Sequence, residues 1–140
     1  MDHLVTRIDH VGIAVADFDQ AVAFYSRAFG MTVEHEEVNE EQGVREAMLR
    51  VADSDSWIQL LAPLSPDSPI GRFLDKSGPG IQQVAYTVSD IHAVCDHLRS
   101  EGIRLLYDEP QAGTAGAKIN FTHPKDSGGV LIELVQHAGS

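Results

Sequence analysis

Two copies of a βαβββ module joined into one α+β domain are what this 140-residue sequence predicts, and three observations carry the prediction. The segment IDHVGIAVADFDQAV (8–22) is answered by IQQVAYTVSDIHAVC (81–95): Ile8, Val11, Val15 and Asp17 meet Ile81, Val84, Val88 and Asp90 at one offset of 73 residues. Within each copy, period-two alternation gives way to apolar residues at helical spacing, the mark of a strand followed by a helix. With 43% apolar residues, 22% charged residues and 12 glycines, the chain has globular composition and the length of one domain.

In the first strand, Ile8, His10, Gly12 and Ala14 share one face, and Asp9, Val11, Ile13 and Val15 share the other. Asp17 is an N-cap candidate for a helix marked by Phe18, Val22, Tyr25 and Phe29, which Gly30 stops. REAMLRV (45–51) and SWIQLLAP (56–63) read as strands, the second an apolar run interrupted by Gln59. PIGRFLDK (69–76) reads as a short helix, and SPDSP (65–69) and KSGPG (76–80) supply the loop that joins the copies. The second copy starts with Gln83 at the position of His10, then Asp90 caps a helix marked by Ile91, Val94 and Leu98 and ended by Gly102. RLLYDE (104–109), AKINFTH (117–123) and VLIELVQ (130–136) read as its further strands, with GTAG (113–116) as a flexible turn. The modules run about 5–64 and 78–137, and a unit of roughly 70 residues builds only a marginal core, so 1–140 reads as a single domain.

A formal charge of −11 repels polyphosphate, so nucleic acid and anionic membrane are not expected partners. The single Cys95 cannot form an intrachain disulfide and reads as a small core residue. The start MDHLVTRIDHVG has no apolar stretch of signal length, and no run approaches the roughly 18 residues of a membrane span. The expectation is a soluble cytoplasmic protein.

Inward-facing polar residues on strands are informative, because an unpartnered buried polar group costs on the order of 1–3 kcal/mol. Four occupy repeat-related positions: His10 and Gln83, 73 residues apart, and Gln59 and Glu133, 74 apart. Each alone fits a hydrogen-bonded polar cluster. Together, an imidazole, a carboxylate and two amide oxygens converging at a concave pseudo-symmetric centre point to a metal site.

Over nearly its whole length the sequence resembles the methylmalonyl-CoA epimerases of the vicinal-oxygen-chelate superfamily, which also holds glyoxalases, extradiol dioxygenases and fosfomycin-resistance proteins. The likeness rests on IDHVGIAV (8–15), NEEQGVREAML (39–49), IQLLAP (58–63), GIQQVAYTV (80–88) and LLYDEPQAGTAGAKINFTHPKDSGGVLIEL (105–134). EQGVREAML, LLYDEP and HPK (123–125) match the epimerase branch. The resemblance implies a glyoxalase-type fold, a homodimer, an acyl-CoA substrate and a divalent metal, Co²⁺, Mn²⁺, Mg²⁺ or Zn²⁺. It implies metal ligands at His10, Gln59 and Glu133, a general base at Glu46, and a second base at Glu133. Family members read HH where this chain has Gln82-Gln83, so Gln83 stands in for a ligand histidine as a harder, neutral donor favouring Mg²⁺, Mn²⁺ or Ca²⁺ over borderline ions.

The implied chemistry removes the proton between a thioester carbonyl and a carboxylate through an enolate, then returns one to the opposite face. A Lewis acid stabilises the charge and two carboxylates exchange the protons. The family pattern places the loop holding Gln42 over the cavity, and Lys118 stands where relatives carry arginine, so both are substrate-binding candidates. Glu40 and Glu41 read as solvated charge, His123 and Lys125 as turn-stabilising, and Trp57 as core packing. His3, His35, His92, His97 and His137 have no repeat-related partners. Two other readings stay open: a diverged lyase, isomerase or cyclase on another carboxylated or polyketide-like substrate, motivated by Gln82-Gln83, and a non-catalytic small-ligand-binding protein, which would have no need of Glu46. An extradiol dioxygenase would need a second histidine ligand that the chain lacks.

Overall fold

Two of the helix starts are made by the residues expected to make them. In the computed structural model, which describes residues 4–139 and so leaves His3 outside the described residues, Asp17 and Asp90 accept the backbone N–H of Gln20 and Ala93 at 3.0 and 3.1 Å. These caps open α1 (Phe18–Phe29) and α3 (Ile91–Ser100). Gly30 ends α1 in the left-handed conformation, and Gly102 takes the same conformation just past α3. The other elements are β1 (Val5–Ala14), β2 (Thr32–Asn39), β3 (Val44–Arg50), β4 (Trp57–Pro63), α2 (Pro69–Ser77), β5 (Gly80–Val88), β6 (Gln111–Ala112), β7 (Lys118–Phe121) and β8 (Ile132–Gln136). No helix among the described residues is long and apolar enough to cross a membrane.

The chain divides into two compact units: His10 to Gln82, and the residues up to Asp9 together with Gln83 onward. In the first, the strand order is β2-β3-β4-β1, antiparallel except for the parallel β4–β1 pair. One face packs on α1 through Val15, Phe18, Ala47, Leu49, Leu60 and Ala62. On the other face, α2 covers Ala14, Val44 and Leu61 with Ile70, Phe73 and Leu74. The start of α2 is tight: Ser68 Oγ accepts Gly71 N–H at 3.1 Å, and a β-carbon on Gly71 would lie 2.5 and 2.6 Å from the carbonyl oxygens of Ser65 and Pro66. Because those neighbours are backbone, Gly71→Ala should destabilise the fold by about 2 kcal/mol, read as a lowered urea midpoint.

In the second unit the order is β5-β8-β7-β6, with β5 parallel to β8 and the other pairs antiparallel. Ile91, Val94 and Cys95 of α3 pack on Val88 and Leu134, and Ala85, Ala117, Ile119 and Val135 form a second cluster. Cys95 is the core residue expected, and burial pushes its thiol pKa up.

RLLYDE (104–109) is not a strand. Only an isolated bridge joins Leu105 to Thr122, and the expected strand is replaced by the two residues of β6. Side chains take the backbone groups that a ladder would use. Arg104 N–H donates to Asp126 at 2.9 Å, Tyr107 N–H donates to Asn120 Oδ1 at 3.1 Å, and Asn120 Nδ2 donates back to Tyr107 O at 3.0 Å. Arg99 donates to the carbonyls of Tyr107 and Asp108. The Arg104 guanidinium also grips Asp126, holding that carboxyl down at about 2. The 113–116 turn is a short 3₁₀ segment with Ala115 at φ 53°, and His123 accepts Lys125 N–H, the turn role expected of HPK.

Candidate active site

The regular register of β3, β4 and β1 sorts one face of the first unit into rows. Arg50, Trp57 and His10 are mutual partners in one row; Met48, Gln59 and Gly12 follow, then Glu46, Leu61 and Ala14, then Val44 and Pro63. Cross-strand partners present side chains to the same face, so His10, Gln59 and Glu46 share it, opposite the α1 core. All three are buried, at 3–4% exposure. Gln59 Nε2 donates to Glu46 Oε2 at 3.3 Å, which ties the expected base to an expected metal ligand on the neighbouring strand. The planar amide thereby turns the Gln59 oxygen, its only metal-binding atom, away from the carboxylate. The Val44–Leu61–Ala14 end of the face packs against α2.

The second unit carries a matching arrangement. Gln83 on β5 and Glu133 on β8 are both buried, and Gln83 Nε2 donates to Glu133 Oε1 at 3.3 Å. Register pairs Ala85 with Glu133 and Phe121 with Glu133, which puts Glu133 on the face of Ala85, Ile119 and Val135 and opposite α3. Every one of the four repeat-related polar residues is thus buried.

Lys118 lies at the start of β7. It pairs with Gln136 and sits two residues before Asn120, whose amide reaches Cys95 Sγ on α3. Alternation therefore puts Lys118, which is exposed, on the α3 face, and Glu133 points the other way. Gln42 is half-buried in the β2–β3 turn, where its N–H is held by Asn39 Oδ1 at 3.0 Å, and Glu40 and Glu41 are exposed as expected.

Three features were not read from the sequence. Trp57 is half-exposed on the site face rather than in the core, and Arg50 stacks on it. Glu37 on β2 stands in register with Glu46 and contacts His35 Nε2 at 2.5 Å. His137 has a partner after all: Asp9, buried at 2% exposure, receives His137 Nε2 and the Thr87 hydroxyl, the latter at 2.6 Å, with Arg7 3.6 Å away.

Among the described residues no group of three or more His, Cys, Asp and Glu side chains is placed to hold a metal ion. The expected ligand set contains only two residues of those types, His10 and Glu133, the rest being glutamine. Its chemistry of one imidazole nitrogen and three oxygens fits a hard or borderline divalent ion.

Residues 9–121 match the model of the Glyoxalase/Bleomycin resistance protein/Dioxygenase superfamily. The structure of methylmalonyl-CoA epimerase from Mycobacterium tuberculosis is 58% identical, with a TM-score of 0.94 over 96% of this chain and 90% of that one. That of Streptomyces coelicolor methylmalonyl-CoA epimerase in complex with 2-nitronate-propionyl-CoA is 48% identical, with a TM-score of 0.93 over 96% and 99% of the two chains. The ethylmalonyl-CoA/methylmalonyl-CoA epimerase of Cereibacter sphaeroides is 38% identical over 95% of this chain and 99% of its own. With a superfamily match over most of the chain and near-full-length relatives of one activity, this chain belongs to the methylmalonyl-CoA epimerase family of the glyoxalase superfamily.

Proposed function

We propose that this chain is an epimerase that interconverts the (R) and (S) forms of methylmalonyl-CoA, or of a close 2-alkylmalonyl thioester. The observation that supports it most is the buried Glu46–Gln59 pair, in a chain so similar to named epimerases. In this reading His10, Glu46 and Gln59 of one unit and Gln83 and Glu133 of the other all take part in the reaction, and the repeat relation at 73 and 74 residues supports treating them as one set. A homodimer, which the resemblance implies, belongs to the same reading.

His10, Gln59, Gln83 and Glu133 are the residues that would hold the metal, whose bound form supplies Lewis-acid stabilisation of charge on the thioester oxygen. Glu46 takes the α-proton; the C–H electron pair moves into the thioester carbonyl, giving the enolate. Glu133, which enters the step protonated, gives its proton to the opposite face, so the centre inverts; Glu46 then loses its proton to solvent and Glu133 regains one, which restores both carboxyls and leaves no net change in composition. Gln59 holds Glu46 in place through its amide N–H. Gln42, at the β2–β3 turn, and Lys118, on β7, are the proposed substrate contacts outside this set.

The test is exchange of the α-proton of methylmalonyl-CoA with solvent deuterium, followed by NMR, with and without added divalent metal. Exchange faster than the uncatalysed rate is expected; none with any malonyl thioester would overturn the reading. Gln83→His should raise affinity for Co²⁺ or Zn²⁺ by about tenfold in calorimetry, since imidazole is the softer ligand. If the same change also raised the epimerase rate many-fold, the diverged reaction motivated by Gln82-Gln83 would be favoured instead.

A further inference from the structure

Among the described residues, Arg50 is the one arginine or lysine on the strands of the face that carries His10, Gln59 and Glu46. It is not an ordinary solvated charge. Its guanidinium carbon lies 4.9 Å from the centre of the Trp57 ring, its side chain is only 37% exposed, and its Nε is buried without a hydrogen-bond acceptor. The nearest carboxylate oxygen, Glu34 Oε1, is 3.6 Å from Nε, beyond hydrogen-bond reach. A planar fork of donors is therefore pre-positioned on an aromatic platform, with none of them used by a protein acceptor. Such a fork suits phosphate oxygens better than any other side chain does.

Position says which anion. Along the strands of this unit, α2 covers the Val44–Leu61–Ala14 end of the face, and Arg50 and Trp57 stand at the opposite end of the same rows, on the face that carries Glu46. Arg50 stands four residues from Glu46 on β3, about 13 Å at the rise of a strand. The malonyl carboxylate sits one bond from the reacting carbon and cannot span that distance; the phosphates at the end of a pantetheine arm can. Surrounding charge makes the arginine matter more: Glu34 is 3.6 Å from its Nε, and the β3–β4 turn that follows it in sequence carries Asp53 and Asp55, so Arg50 supplies the positive charge of an otherwise acidic stretch.

We propose that Arg50, held on Trp57, binds a phosphate of the coenzyme A moiety and so makes this chain select CoA thioesters over shorter carriers. The proposal rests on the epimerase reading, and its test separates the two. Calorimetric binding of free coenzyme A should weaken about tenfold or more in Arg50→Gln and less in Arg50→Lys, which keeps the charge but loses the fork. In the exchange assay, Arg50→Gln should raise KM for methylmalonyl-CoA by a similar factor with kcat unchanged. The methylmalonyl thioester of N-acetylcysteamine, which keeps the carboxylate and lacks phosphates, should be turned over equally well by wild type and variant. Equal losses on both thioesters, or coenzyme A binding that ignores the substitution, would overturn the assignment. A wild type that exchanges neither thioester would remove the epimerase reading while the coenzyme A titration still decides the role of Arg50.

Discussion

Glu46→Gln should lower α-proton exchange by about 10²–10⁴-fold, the usual contribution of a positioned proton-transfer group, and leave thermal stability and substrate binding close to wild type. The substitution is nearly isosteric, and Glu46 is buried beside Leu61 and Val44 with Gln59 as its hydrogen-bond partner. A glutamine at position 46 can accept the same Gln59 N–H through its amide oxygen, so the packing and the expected ligand both keep their places. What it loses is the ability to take a proton. The measurement is deuterium incorporation under single-turnover conditions, alongside calorimetric binding of a non-exchanging substrate analogue. An exchange rate within tenfold of wild type would show that Glu46 is not the base. Loss of rate together with loss of binding would instead assign it a structural or substrate-holding part.

Where the sequence was legible, the signals were local or repeated. The helix caps at Asp17 and Asp90 need only a side chain and a backbone three residues on, and both are as expected. The repeat turned four separate polar residues into a set, and all four are buried. Glu46 came through resemblance alone, since nothing in REAMLRV distinguishes a catalytic glutamate from a solvated one. β2 was never singled out as an element, because TVEHEEVN has no apolar face: Glu34 and Glu36 are exposed, while the half-buried side is Val33, His35 and Glu37. Its charge suits a strand at the end of its unit's order, where acidic side chains discourage edge pairing.

Long-range polar contacts were the other blind spot. Asp9 and His137 are 128 residues apart, and Arg50 meets Trp57 only once β3 and β4 are in register. Neither pairing leaves a periodic trace, so alternation could place the residues on faces without saying what they touch. Lys118 shows the same limit: a family position suggested a substrate contact, and the two-residue step to Asn120 puts it on the face of its strand opposite Glu133 without saying what it touches.

The most consequential misreading, RLLYDE, leads to the largest stability effect expected in the second unit. Asn120 is fully buried and does by itself what a partner strand would otherwise do for Tyr107, accepting its N–H and donating to its carbonyl, while also accepting Phe121 N–H at 2.8 Å. Asn120→Ala removes all of these at once and leaves a void beside Cys95. Each buried group left unsatisfied costs about 1–3 kcal/mol, and Tyr107 is only half-buried, so the expected loss is about 3 kcal/mol, or roughly 10 °C in Tm for a domain of this size. Asn120→Asp should do no better, because it keeps the acceptor but sets a second oxygen against the Tyr107 carbonyl. Both are read by urea unfolding with a far-UV probe. Since Asn120 and Glu133 project from opposite faces of their sheet, kcat per folded molecule should be unchanged at low temperature. A Tm within 2–3 °C of wild type, expected for a loss under about 1 kcal/mol, would mean that 104–109 is held by Arg99 and the Arg104–Asp126 grip without Asn120.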